Sequence, residues 1–242
     1  MPWFARTGLR VLMYHKVSPG AGDALTVTSD QLASQLRWIQ RQDFPFVSVT
    51  QVLAAVRGGA PLPRDAVLVT FDDAFLSTFE HAWPVLASLR LSAAVFVPTA
   101  FIGATSAWDV TPEPLMQVTH LRTLEAAGWE IGLHSHRHEN YAELGADRVA
   151  ADLKLATETL RQVCARPLPA LAYPYGRPPA SGPAREALQA ALRGAGIEIA
   201  FRIGNRINPQ PLRRVFEVER IGPRGDCSAA YFRRQIRWGR LW

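Results

Sequence analysis

The chain has 242 residues, 48% of them hydrophobic, and 27 Lys and Arg against 21 Asp and Glu give it a net charge of +6. That length and apolar content call for one sizeable core and exclude a disordered or fibrous chain. No run approaches the roughly eighteen apolar residues of a transmembrane helix, and Cys164 and Cys227 are too few for a disulfide framework, so they read as free thiols.

Hydrophobic patterning alternates strand with helix along the chain. A strand over 9–14 is followed by a helix over Ser29–Gln42, with Thr28-Ser29-Asp30 offering a cap. Pro45–Val49 reads as a short strand and Thr50–Arg57 as a helix. Ala66–Phe71 is a β-branched apolar run bounded by Pro63-Arg64-Asp65, hence a buried strand. It leads to a helix over 77–90 and a fully apolar strand at Ser92–Val97. The stretch 98–114, holding Trp108 and Asp109, is the longest irregular segment and would overhang a site mouth. Helix 115–127, strand 129–133, helix 146–163, strand 169–173, helix 183–194 and strand Glu198–Phe201 complete the series. Repeated βα order implies a parallel, barrel-like sheet. Pro- and Gly-rich segments at 18–24, 58–63 and 176–183 read as loops, with no linker or internal repeat.

Two polar clusters sit where apolar strands stop. Asp72 and Asp73 end VLVTFDDAF, and His134 and His138 end GWEIGLHSHRH. Alone, an Asp-Asp after a strand is often a turn or cap, and an HxxxH is often a solvated helix face. At the carboxyl ends of two strands of one parallel sheet they converge on the place where such folds keep their sites. The set offers a carboxylate and two imidazoles for a metal ion, with a spare carboxylate beside it. His136, two residues from His134, should point elsewhere and reads as a bystander or a substrate contact.

These motifs resemble those of the polysaccharide deacetylases, the NodB-homology or carbohydrate esterase family 4 proteins. TFDDAF is similar to the family's TFDDG, HSHRH to its H-S/T-x-x-H, and Ala172-Tyr173-Pro174-Tyr175-Gly176 to its R-x-P-Y/F-G. Val11-Leu12-Met13-Tyr14-His15-Lys16-Val17 resembles the YHxV start of a branch that includes exopolysaccharide N-deacetylases. The resemblance runs from about residue 9 to at least residue 176 and implies a single distorted (β/α) barrel of about seven parallel strands; the barrel domain is expected over 1–230, with a basic aromatic tail over 231–242. It implies that Asp73, His134 and His138 bind a divalent metal, zinc first with cobalt, nickel or manganese as alternatives, and that Asp72 is the general base. It places Tyr175 where a backbone N–H serves the oxyanion. The reaction implied is removal of an acetyl group from an N- or O-acetylated saccharide, polysaccharide or glycolipid. The alternatives are another metal-dependent amide hydrolase, or an inactive carbohydrate-binding barrel.

Three departures stand out. Ala74 replaces the family glycine, at a cost of about 1 kcal/mol if the position needs positive φ. Ala172 stands where the family arginine orients the base. No histidine follows His138, so the Leu-x-His motif that supplies the acid is missing. Of the other histidines, His81 reads as structural and His120 as exposed, while His15, ending the first strand, is the first candidate for acid or substrate contact. Trp108 is expected either to stack on a sugar ring or to plug a surface hollow.

The positive charge is concentrated late, and the tail mixes Arg233, Arg234, Arg237 and Arg240 with Tyr231, Phe232, Trp238 and Trp242. Such a helix can lie on an anionic membrane surface or pack its aromatic side on the barrel. No nucleic-acid recognition motif accompanies the charge. The opening MPWFARTGLR carries no hydrophobic leader. The expected location is therefore cytoplasmic, with peripheral contact at the inner membrane face as an option, and the expected partner an acetylated sugar or glycan.

Overall fold

Short apolar strands separated by helices must bury both faces, and in the computed structural model they do so by closing on themselves. The structure describes residues 7–20 and 22–240. Seven parallel strands form the barrel in the order β1 (Arg10–Tyr14), β4 (Val67–Phe71), β5 (Ala94–Val97), β6 (Glu130–Leu133), β7 (Ala170–Ala172), β8 (Ile199–Ile203) and β9 (Val218–Ile221). β9 pairs back on β1 through Val11↔Arg220 and Leu12↔Ile221. The helices are α1 (Ser29–Gln40), α2 (Val49–Val56), α3 (Trp83–Ser88), α4 (Val118–Ala126), α5 (Ala146–Val163), α6 (Gly182–Gly194) and α7 (Ala229–Trp238). A separate parallel pair, β2 (Lys16–Ser18) with β3 (Thr26–Thr28), follows β1.

Period-two alternation divides the apolar side chains into two layers. Val11, Leu68, Phe96, Ala170, Phe201 and Val218 form one cluster with α2 packed on it. Leu12, Val69, Ile131 and Leu171 form the other with the outer helices, through residues such as Leu36, Leu121 and Leu153. Capping boxes start α1 at Thr28 with Gln31 and α2 at Ser48 with Gln51, satisfying N–H groups that a helix start leaves over.

Several expected elements differ. Seven barrel strands are present, but Pro45–Val49 is not one of them. Phe46 makes only an isolated bridge to Val67, and Val49 already opens α2. β4 meets β5 only at Thr70 and Phe71, so the edge of Val67 is left for this bridge. The seventh strand is β9, which was not expected. The helix expected over 77–90 runs continuously over 76–88, with a π-helical turn at Thr78–Ala82 leading directly into α3. Pro84, lacking an N–H, leaves one bond of the ladder unmade just after that turn. The helix expected over 115–127 starts at Val118, because Leu115 bridges Phe75 and Met116 N–H donates to Ala74 O.

α7 turns Phe232 and Ile236 onto the barrel core, and Arg10 Nε donates to Ile236 O at 2.5 Å. Arg233 and Arg237 lie over the Trp38 ring. Leu241 and Trp242 of the tail lie outside the described residues. Among the described residues no helix is long and apolar enough to cross a membrane.

Candidate active site

β4 delivers the two aspartates to the carboxyl end of the barrel. Asp72 N–H donates to Tyr14 O at 2.9 Å, extending the ladder by one residue, and alternation turns its side chain to the face of Leu68 and Thr70. The chain then reverses through two consecutive left-handed residues, Asp73 (φ 68) and Ala74 (φ 55). Alanine therefore does occupy a conformation that suits glycine, at a cost of about 1 kcal/mol. His134 follows β6 in the same way, its N–H donating to Val97 O. Left-handed Ser135 (φ 62) and His138 (φ 56) fold the HSHRH segment into a loop, not a helix, and bring the second imidazole back.

Ligand atoms of Asp73, His134 and His138, all buried, lie within 4.8 Å of one another. Asp73 Oδ1 is 3.2 Å from His134 Nε2 and 3.1 Å from His138 Nε2. These contacts lack hydrogen-bond geometry, since Asp73 Oδ1 is buried without a donor, as is His138 Nδ1 without a partner. His134 Nδ1 is 2.8 Å from the carbonyl of Ala172. A carbonyl only accepts, so Nδ1 carries the hydrogen and, in the neutral ring, Nε2 presents a lone pair to Asp73. Lone pairs facing a carboxylate oxygen repel unless a proton or a cation lies among them. This donor set fits a divalent ion, with Ala172 O fixing the tautomer from behind.

Burial disfavours charge throughout the cluster. It pushes the Asp73 carboxyl up, but the two imidazoles more than offset this and hold it far below the usual carboxylate range. At His134 burial is outweighed by the carboxylates of Asp72 and Asp73, which raise its pKa. At His138 burial prevails over its Asp73 contact and the pKa falls.

Asp72, 2% exposed, has a different partner. Arg220, fully buried on β9, donates to both of its oxygens at 2.6 Å. Burial raises the Asp72 pKa, but Arg220 and His134 bring it below the ordinary value. The arginine sought at position 172 is thus supplied to Asp72 from another strand. Sequence reading missed it because Val218–Ile221 is only four residues long and Arg220 looked like one more member of the late basic run.

His15 follows β1 and is half-buried, its carbonyl accepting from Thr78 Oγ1 at 3.2 Å, and it lies within electrostatic reach of Asp72 and Asp73. Tyr175 is left-handed (φ 57), 53% exposed, and meets the His138 ring at 5.0 Å. Gly176 beside it also has positive φ, and a Cβ there would fall 2.2 Å from Ile203 Cγ1. Trp108 neither plugs a remote hollow nor stands free: it stacks on His138 at 3.9 Å and 18°. His136 points away, its Nδ1 2.9 Å from Thr99 Oγ1. His120 is half-buried rather than exposed, its ring tilted against that of Phe79 at 4.6 Å and its Nδ1 accepting from Gln117 N–H.

A second residue escaped the sequence reading. Asp152 on α5 is buried, accepts from the N–H groups of His136 (2.8 Å) and Arg137 (3.2 Å), and takes the Tyr141 hydroxyl at 2.5 Å. It ties the histidine loop to an outer helix. A cavity of about 1390 Å³ bordered by Arg213, Arg214 and Trp238 contains none of these residues. The chemistry of the cluster, not cavity size, marks the site.

Comparison with known proteins follows the same lines. A 113-residue segment is 32% identical to the poly-beta-1,6-N-acetyl-D-glucosamine N-deacetylase of Escherichia coli (strain K12), covering 46% of this chain and 16% of that protein. A 160-residue segment is 23% identical to the enzyme of that name from Staphylococcus aureus (strain MRSA252), covering 62% and 54%. The chain therefore spans only part of these relatives. IcaB from Ammonifex degensii shares the fold at TM-score 0.80 and 24% identity, over 97% of this chain and 98% of its own. So does a de-N-acetylase from Aggregatibacter actinomycetemcomitans, at 0.80 and 17%, over 94% and 99%. Residues 59–197, more than half of the chain, match the family described as polysaccharide deacetylase, and the chain belongs to that family.

Proposed function

We propose that the chain is a metal-dependent N-deacetylase acting on a β-1,6-linked N-acetylglucosamine saccharide. The observation that carries this reading is the convergence of Asp73, His134 and His138 beside an Asp72 locked by Arg220. The relatives' names supply the substrate class.

Asp73, His134 and His138 would hold a divalent ion, zinc first, with cobalt, nickel and manganese suited to the same donors. Bound there, such an ion polarises an acetyl carbonyl and lowers the pKa of a water. Asp72 serves as general base, taking the proton of the attacking water. Arg220 keeps Asp72 ionised and fixes its plane, while each carboxylate oxygen retains a second lone pair for that proton. Tyr175, held left-handed in the turn after β7, offers its N–H to the oxyanion. His15, within electrostatic reach of both aspartates, is the acid that returns a proton to the departing amine, in place of the absent late histidine. Water thus adds to the carbonyl carbon, the C–N bond breaks, and acetate and a free amine leave.

The test is acetate release from a β-1,6-N-acetylglucosamine pentamer, read beside elemental metal content. Wild type should carry about one divalent ion per chain, Asp73→Ala should lose it, and Asp72→Asn should keep it without turnover. Full turnover by Asp72→Asn would remove the base assignment. Wild type without metal after soaking in zinc or cobalt would remove the enzyme reading.

A further inference from the structure

The segment 98–114 crosses the mouth and is fastened at both ends. Ser106 N–H donates to Glu113 O, Glu113 N–H to Ser106 Oγ, and Leu115 N–H to Ala104 O. Leu76 N–H donates to Pro114 O and Met116 N–H to Ala74 O, tying the segment to the turn that carries Asp73. Lys16 Nζ holds Glu113 at 2.7 Å. The tip is therefore positioned, not loose. Its Trp108 lies on His138, with Phe101 edge-on against it at 5.1 Å.

Asp109 is next in the chain, within electrostatic reach of Lys16 and of Tyr175, whose ring meets His138. Its Oδ2 is buried and, among the described residues, has no hydrogen-bond partner. Of the other carboxylates here, Asp72 is held by Arg220, Asp152 by backbone N–H groups and Tyr141, and Glu113 by Lys16, while the unpartnered oxygen of Asp73 belongs to the donor set that fits a metal ion. A buried acceptor without a donor costs about 1–3 kcal/mol, so an occupant of the mouth that brings a donor to Asp109 Oδ2 gains by completing it.

We infer that Asp109 is a saccharide-binding residue, whose carboxylate accepts a hydrogen bond from a donor group of the sugar while Trp108 lines the same wall. This rests on the deacetylase reading and deepens it. A carboxylate without a proton accepts and cannot donate, so the ligand group is a hydroxyl or the ammonium of a residue already deacetylated. Both present N–H or O–H to an oxygen beside an aromatic face, a common arrangement for sugars, whose C–H groups pack on rings.

The experiment compares wild type, Asp109→Asn and Asp109→Ala in kinetics on a fully acetylated β-1,6-N-acetylglucosamine pentamer, a half-deacetylated pentamer, and the sugar-free ester 4-nitrophenyl acetate. Circular dichroism and metal content establish that each variant is folded and loaded. Asp109→Ala should lower the ratio of kcat/KM on pentamer to that on ester by about tenfold or more, chiefly through KM. A hydroxyl donor predicts partial retention in Asp109→Asn, whose amide oxygen still accepts; an ammonium donor predicts loss in both, larger on the half-deacetylated pentamer. An unchanged ratio on both pentamers overturns the inference. Wild type that turns over neither pentamer nor ester counts against the deacetylase reading instead. Calorimetric binding of the pentamers to metal-free protein then decides Asp109 alone, with weaker binding by Asp109→Ala supporting it and equal binding overturning it.

Discussion

Replacing Arg220 by methionine tests the buried pair that orients Asp72. Methionine fills much of the volume of the arginine stem, so the change removes charge and hydrogen bonds more than packing. Arg220 is fully buried and makes two 2.6 Å bonds to a carboxylate that is 2% exposed. Removing one partner of such a pair leaves an uncompensated buried charge, at a cost of about 3–5 kcal/mol. That is a large share of the roughly 5–15 kcal/mol that holds a domain folded.

The loss should depend on pH in a defined direction. In wild type the folded-state pKa of Asp72 is depressed, so its contribution is present above the unfolded value and lost as pH falls through the lower folded one. In Arg220→Met burial is no longer opposed by the arginine, and the folded pKa rises above the unfolded value of about 3.9. The folded variant then binds a proton more tightly than the unfolded chain, and its penalty shrinks as pH falls. Urea denaturation of chelator-treated protein at pH 7 and at about pH 4.5 reads both effects. The expected result is a loss of several kcal/mol at pH 7 that narrows at the lower pH. A loss below about 1 kcal/mol, the ordinary effect of a point mutation, would refute the reasoning. So would a loss of equal size at both pH values.

Asp152→Asn puts an NH₂ against N–H donors and should cost about 1.5–3 kcal/mol in urea denaturation. It should also weaken zinc binding in a chelator competition, because it frees the loop that returns His138; unchanged zinc affinity would show that the loop holds itself. In native protein at pH 8, thiol titration should show Cys227 reacting and Cys164 silent until denaturant is added. Burial pushes the Cys164 thiol up to about 12, and thiolate is the reactive form. Gly176→Ala should impair folding or activity markedly, since its Cβ meets Ile203 in a left-handed turn, whereas Gly194→Ala, with nothing within 4 Å, should have little effect on melting temperature.

Local pattern was enough to read the barrel, because alternation and βα order are properties of neighbouring residues. It marked Asp72, Asp73, His134 and His138 because Asp72 and His134 directly follow the last residues of two strands, with Asp73 and His138 close behind, and strand ends in a parallel sheet share one face. It could not identify β9, whose four residues gain their character only by closing the sheet between β8 and β1. Arg220 is indistinguishable in sequence from the solvated arginines around it, and only burial against Asp72 sets it apart. Asp152 sits on a helix whose sequence reads as an ordinary amphipathic one, and its partners are backbone groups sixteen and fifteen residues away and the Tyr141 hydroxyl. The motifs named the groups that do chemistry because chemistry fixes residue type and local spacing. Which residues orient them was decided by the tertiary structure, because a hydrogen bond across the barrel leaves no period in the chain.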